Sequence, residues 1–153
     1  MGGCVGKGHR DEEEKLNFKG GNVHIITSKD MWDQKIAEAN RDGKPVVANF
    51  SASWCGPCRV IARIYAEMSR TYPQIMFLTI DVDDLMHANH AYYADNCTNL
   101  TVFVIHFQDF SSSWDIRATP TFFFLKDGQQ IDKLVGANRP ELEKKVEAIA
   151  NSS

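Results

Sequence analysis

The five residues Trp54-Cys55-Gly56-Pro57-Cys58 sit where an apolar run gives way to a helical pattern, and this junction constrains the fold more than any other feature of the chain. Upstream, Val46, Val47, Ala48, Asn49, Phe50 and Ser51 form a short, largely apolar run bounded by Pro45, as a buried strand would be. Downstream, Val60, Ile61, Ile64, Tyr65 and Met68 recur at helical spacing until Tyr72-Pro73 stops the pattern. The C-x-x-C therefore caps a helix that follows a strand, and Pro57 suits the first helical turn. Helix N-terminal amides and the macrodipole favour negative charge at Cys55, so its thiolate is expected near neutral pH and Cys55 is the expected attacking sulfur. Cys58, one turn into the helix and less exposed, is placed to attack a mixed disulfide formed by Cys55. Trp54 is expected to shield the pair.

Two other uses of a C-x-x-C fit less well. A zinc site needs a second ligand pair of similar spacing, and the remaining cysteines, Cys4 and Cys97, form none. A purely structural disulfide across so small a loop stabilises little by chain entropy. Composition narrows the setting. With 153 residues the chain is one domain with additions, and 17 basic against 20 acidic residues, without a basic block, argue against nucleic acid as a partner. Four cysteines are too few for a disulfide scaffold and fit a reducing compartment. No stretch approaches a membrane span, and Met1 to Arg10 lack the apolar core of a secretory signal, so a cytoplasmic location is expected.

Residues 1–20 are Gly-rich and charged and read as a flexible N-terminal arm. Gly2 is a candidate for myristoylation and Cys4 for palmitoylation, the two lipid signals that stable anchoring takes. Gly6 stands where the myristoylation consensus prefers Ser or Thr, while Lys7, Arg10 and Lys15 add basic charge. The arm thus predicts peripheral attachment to the cytoplasmic face of the plasma membrane.

Order is expected to begin near Asn22. Val23, Ile25 and Ile26 predict a short strand, and Thr27-x-x-Asp30 predicts a capping box opening a helix with Trp32, Ile36 and Ala39 on one face, closed by Gly43. After the dithiol helix, Ile75 to Ile80 predict a strand that ends in Asp81, Asp83 and Asp84, and a short helix is expected around Phe110 to Trp114. Thr121 to Leu125, the turn signal Asp127-Gly128, and Gln130 to Val135 predict a hairpin. Asn138, Pro140 and Glu141 start a last helix with Leu142, Val146 and Ile149 as its buried stripe. Alternating strand and helix followed by a hairpin predict an α/β fold, a central mixed sheet with helices on both faces.

With this order and the WCGPC motif, residues 22 to 150 resemble a thioredoxin apart from one insertion, within a domain spanning 21–150 and a tail of 151–153. The strings SASWCGPCR, FSSSWDIRATPTFFF and LVGA are similar to those of plant h-type thioredoxins, and the MGGC start resembles members with an acylatable arm. The resemblance implies a cis peptide bond before Pro120. It also implies that Pro120 packs on the cysteines, that the Thr119 backbone pairs with an extended substrate, and that Gly136 in Val135-Gly136-Ala137 permits close backbone approach. Trp54, Gly56 and Pro57 complete the implied groove. The implied activity is reduction of disulfides in cytosolic target proteins. The Cys55-Cys58 pair would be regenerated from NADPH by a flavoprotein thioredoxin reductase, the protein acting as a monomer with neither bound cofactor nor metal.

Several residues depart from the family pattern. Asn49 stands where most thioredoxins have a buried aspartate thought to take the proton of the second cysteine, and Thr79 stands where that aspartate's lysine partner is usual. Together they remove both charges and also an obvious general base, making Asn49 a candidate modulator of the proton path. Arg63 replaces a kinking proline, which predicts a straighter helix.

The largest departure is the insertion 87–108. Deleting it joins Met86 to Asp109 in uninterrupted family sequence. His87, His90, Cys97 and His106 fall within it, but beyond HxxH no familiar zinc spacing appears. Thr98-Asn99 can be encoded by a branch-site-like CTAAC, and Phe107-Gln108 by TTTCAG, an intron's end, so the insertion reads as translated intron sequence. The alternative function is accordingly a membrane-tethered binding module, or a non-productive splice form with impaired turnover.

Overall fold

The computed structural model describes residues 18, 20–83 and 114–152. Three predicted features, the arm residues Gly2 and Cys4, the insertion 87–108 and most of the helix expected before Trp114, lie outside them. Among the described residues, five strands and three helices run in the order β1 (Val23–Ile26), α1 (Lys29–Arg41), β2 (Val46–Ser51), α2 (Gly56–Thr71), β3 (Met76–Asp81), β4 (Thr121–Lys126), β5 (Gln129–Val135) and α3 (Arg139–Asn151). The strands form one sheet in the order β1-β3-β2-β4-β5. β3 pairs in parallel with β1 and β2, whereas β4 runs antiparallel to both β2 and β5.

Central placement explains the apolar run of β2. Every one of its residues is buried, since both faces of the strand are covered. Val46, Ala48 and Phe50 join Trp32, Leu78 and Phe123 in a core on the α1 side. Val47 faces the other way and packs with Ile61, Tyr65, Phe77, Phe122 and Leu142, beneath α2 and α3. The buried Tyr65 hydroxyl ties α2 to the sheet: it lies 2.7 Å from the Val47 carbonyl oxygen and 2.8 Å from that of Leu78, so its one proton is shared between β2 and β3. Burial holds this phenol well above its ordinary pKa, partly offset by the bond to Leu78.

The predicted hairpin forms. Asp127 (φ 52°) and Gly128 (φ 74°) both take positive φ, as a type I′ turn requires. The last helix starts as predicted, with the Asn138 side chain accepting the Glu141 amide at 3.2 Å and Leu142, Val146 and Ile149 buried. α2 runs unbroken through Arg63, whose side chain is exposed.

Four expectations are corrected. The N-cap of α1 is Ser28 and not Thr27: Ser28 is extended and accepts the Met31 amide at 3.2 Å, while Thr27 Oγ1 contacts the Met31 sulfur. Asp30 lies in the first turn, where its charge complements the helix dipole. Val60 is 67% exposed, because the stripe Ile61, Tyr65 and Met68 faces the sheet and leaves Val60 on the outer margin. The third strand begins at Met76; the Ile75 amide instead closes a turn on the Tyr72 carbonyl at 3.0 Å.

Packing, finally, begins before Asn22. Phe18, assigned from sequence to the arm, meets Tyr65 edge-on at 6.2 Å between ring centroids. The Asn22 amide donates to Ser69 Oγ at 2.7 Å, and a Cβ on Gly21 would stand 2.7 Å from the Ala66 Cβ. Only glycine lets the segment lie this close to α2.

Candidate functional site

The dithiol occupies the turn between the end of β2 and the start of α2. Cys55 is the N-cap of α2 in extended conformation, and its sulfur accepts the Cys58 amide at 3.3 Å. Gly56 and Pro57 form the exposed first positions of the helix, where proline's missing amide costs nothing. A helix amide directed at the Cys55 sulfur stabilises charge on it, which is the chemistry an attacking thiolate needs. The two sulfurs stand at disulfide distance, with the Cα atoms 5.2 Å apart. Cys55 is 6% exposed and Cys58 is fully buried, so only the first can be reached from outside.

Ala52 and Val82 pack on the pair. Trp54, expected to shield it, is 68% exposed; the indole is apolar surface offered beside the dithiol and not its cover.

The loop before β4 faces the dithiol. Its Thr119-Pro120 bond is cis, Pro120 is buried, and the Thr119 carbonyl oxygen lies 3.4 Å from the Cys55 sulfur. A second loop joins it: the Gly136 amide donates to the Pro120 carbonyl at 2.8 Å. Gly136 has φ +94°, and a Cβ there would meet nothing within 4 Å. Glycine is thus required for its backbone conformation, and the space beside it stays open to an approaching chain. The site unites Cys55, Cys58, Thr119, Pro120 and Gly136 from three separate stretches of sequence.

Asn49 and Thr79 are register partners on β2 and β3, both buried. Thr79 Oγ1 lies 3.4 Å from the backbone carbonyl oxygen of Asn49, not from its side chain. Both polar atoms of the Asn49 amide lack a hydrogen-bond partner among the described residues, as does Ser51 Oγ. Sequence reading passed over Ser51, although its two-residue spacing from Asn49 in an apolar run places both on one face. Among the described residues no cluster of three or more His, Cys, Asp or Glu side chains is placed to hold a metal. The candidate ligands His87, His90, Cys97 and His106 fall outside those residues.

Comparison with known proteins agrees with this geometry. The Thioredoxin family model matches residues 23–103. Thioredoxin H4-2 of Oryza sativa subsp. japonica is 70% identical over 154 aligned positions spanning all of both chains. The crystal structure of a poplar thioredoxin h mutant is 55% identical and covers 91% of each chain at a TM-score of 0.72. A solved complex of ferredoxin:thioredoxin reductase with thioredoxin f2 also matches, at 29% identity and a TM-score of 0.62, covering 84% of this chain and 94% of that one. A nucleophile-ready Cys55 before a cis-proline loop and similarity along the full length lead to one conclusion: the chain belongs to the thioredoxin family, with the plant h-type members, and is a protein-disulfide reductase.

Proposed function

We propose that the chain reduces disulfides of cytosolic target proteins and is returned to the dithiol by NADPH through a flavoprotein thioredoxin reductase. The observation that carries the reading is the Cys55 sulfur at the N-cap of α2, receiving the Cys58 amide and facing the Thr119 carbonyl. In the reduced protein the Cys55 thiolate attacks one sulfur of a target disulfide. A bond forms between Cys55 and that sulfur, the target's S–S bond breaks, and the other target sulfur leaves as a thiolate. Cys58 then attacks the Cys55 sulfur, expels the second target thiolate and closes the Cys55-Cys58 disulfide. Two electrons pass to the target.

The buried position of Cys58 keeps it from reacting with outside partners before Cys55 has done so. Backbone at Thr119 and the open space beside Gly136 suit an extended target segment, with Trp54 as adjoining apolar surface. A related thioredoxin solved with its reductase supports a reductase as electron donor. The proposal includes monomeric action without bound cofactor and attachment to the plasma membrane's cytoplasmic face through acylated Gly2 and Cys4. Myristate and palmitate labelling of the full chain, lost in Gly2→Ala and Cys4→Ser, tests the attachment.

The central test is insulin reduction with NADPH and thioredoxin reductase, by the full chain and by a form lacking residues 87–108. Activity in either form is the expected outcome. Failure of both refutes the reading, while activity only in the shortened form assigns the insertion to a non-productive product.

A further inference from the structure

β2 carries two side chains for which the described residues of the disulfide-bonded structure offer no partner. Asn49 and Ser51 are both fully buried, and the amide oxygen, the amide nitrogen and the hydroxyl all lack hydrogen bonds among the described residues. A buried polar atom left unpaired forfeits its hydration with nothing in return, so such groups in native proteins are satisfied by something.

Their place in the fold says what they face. Val47 packs under Ile61 and Tyr65 of α2, and strand alternation puts Asn49 and Ser51 on that same face, successively nearer the strand's end. α2 returns antiparallel over the strand, so its first turn, with the buried Cys58, lies over this end of β2. On the neighbouring strand Thr79 pairs in register with Asn49, and Asp81 with Ser51. Parallel partners stand about 4.8 Å apart and point the same way. Asp81, only half-buried, closes the row at the open end, with one carboxylate oxygen accepting the Asp83 amide at 2.9 Å.

We propose that Asn49 and Ser51 hold a water molecule beneath Cys58, and that this water carries the Cys58 proton outward past Ser51 to the Asp81 carboxylate. During resolution the Cys58 sulfur bonds to the Cys55 sulfur, the bond between Cys55 and the target sulfur breaks, and the target leaves as a thiolate. The Cys58 proton passes to the held water, which releases one of its own to Asp81 and thence to solvent, where the target thiolate is reprotonated. A single two-donor, two-acceptor water satisfies an amide and a hydroxyl at once. Asn49 and Ser51 are positioning residues in this scheme. Of the elements packed around them, α2 contributes the two cysteines, β3 contributes Thr79 and Asp81, and β4 contributes Phe122. The other charged pair on this side, Asp132 and Lys145, is bonded to itself at 2.6 Å.

The inference rests on the disulfide-reductase reading, and the test separates the two. Formation and resolution of the Cys55 mixed disulfide are timed separately between about pH 6 and pH 9 in the wild type, Ser51→Ala, Ser51→Thr and Asn49→Leu. Unchanged formation is expected, with resolution slowed about ten- to a hundredfold in Ser51→Ala and Asn49→Leu, its pH profile displaced, and recovery in Ser51→Thr. Unaltered rates and pH profiles in both, or a loss that Ser51→Thr does not restore, overturn the inference. Absence of mixed-disulfide formation in the wild type fails the reductase reading instead. A measurement on unmutated protein stands apart from whether the variants fold: a long-lived water cross-peak to the Asn49 side-chain amide by NMR is expected, and its absence overturns the inference.

Discussion

Removing only the hydroxyl of Tyr65 tests how α2 is held to the sheet. In Tyr65→Phe the ring keeps its edge-on contacts with Phe77 at 5.1 Å and Phe18 at 6.2 Å, so the transfer and cavity terms of a larger truncation do not arise. What is lost is one proton shared between the Val47 and Leu78 carbonyls. Both carbonyls belong to paired strands, so neither is abandoned and the cost falls at the lower end of the range for a buried hydrogen bond, about 1–2 kcal/mol. The pH dependence supplies a sharper signature. The folded phenol is held well above the ordinary value of 10.0, chiefly by burial, so above that pH the unfolded chain releases a proton that the folded chain retains. This stability is complete below pH 10.0 and is lost as pH rises beyond it, by about 1.4 kcal/mol per pH unit. Tyr65→Phe has no such loss. Urea unfolding of the two oxidised proteins should therefore give a gap of about 1–2 kcal/mol near pH 8 that closes by about 1.4 kcal/mol near pH 11. A gap that stays constant over this range, or none near pH 8, refutes the buried, shared hydroxyl.

Three further outcomes follow from the geometry. Cys58→Ser should leave target proteins bound through Cys55 as a reducible higher-mass band on non-reducing gels, and Cys55→Ser should give no band. Gly21→Ala should cost about 1–3 kcal/mol, since its methyl would stand 2.7 Å from the Ala66 Cβ and 2.8 Å from its Cα; hydrogen exchange should show the Asn22 amide losing protection while insulin reduction persists. Gly136→Val forces a β-branched residue to φ +94° and fills the open space beside the cis-proline loop. Reduction of protein disulfides should fall about ten- to a hundredfold, and reduction of a small disulfide reagent much less.

Features governed by local chemistry were legible in the sequence. β2 reads as a strand because it is buried on both faces, Asp127-Gly128 reads as a hairpin because both residues tolerate positive φ, and Asn138 reads as a cap because its side chain reaches an amide three residues on. Cys55 and Cys58 were legible for the same reason, since their roles follow from a helix start. The cis bond at Pro120 and its meeting with Gly136 carry no local signal; only the family resemblance supplied them. Val60 was misjudged because a helical stripe has two margins, and the chain elsewhere decides which one is covered. Phe18 was misjudged because a lone aromatic in a polar arm shows nothing until Tyr65 stands opposite it. Ser51 is the instructive case. A serine at the end of a strand is unremarkable by propensity, and it stands out only in the fold, where its buried hydroxyl and the Asn49 amide on the same face of β2 both lack hydrogen-bond partners among the described residues. In the proposed proton path the helix start that activates Cys55 also covers these two groups, so a change at Ser51 or Asn49 should act on the second sulfur and leave the first untouched.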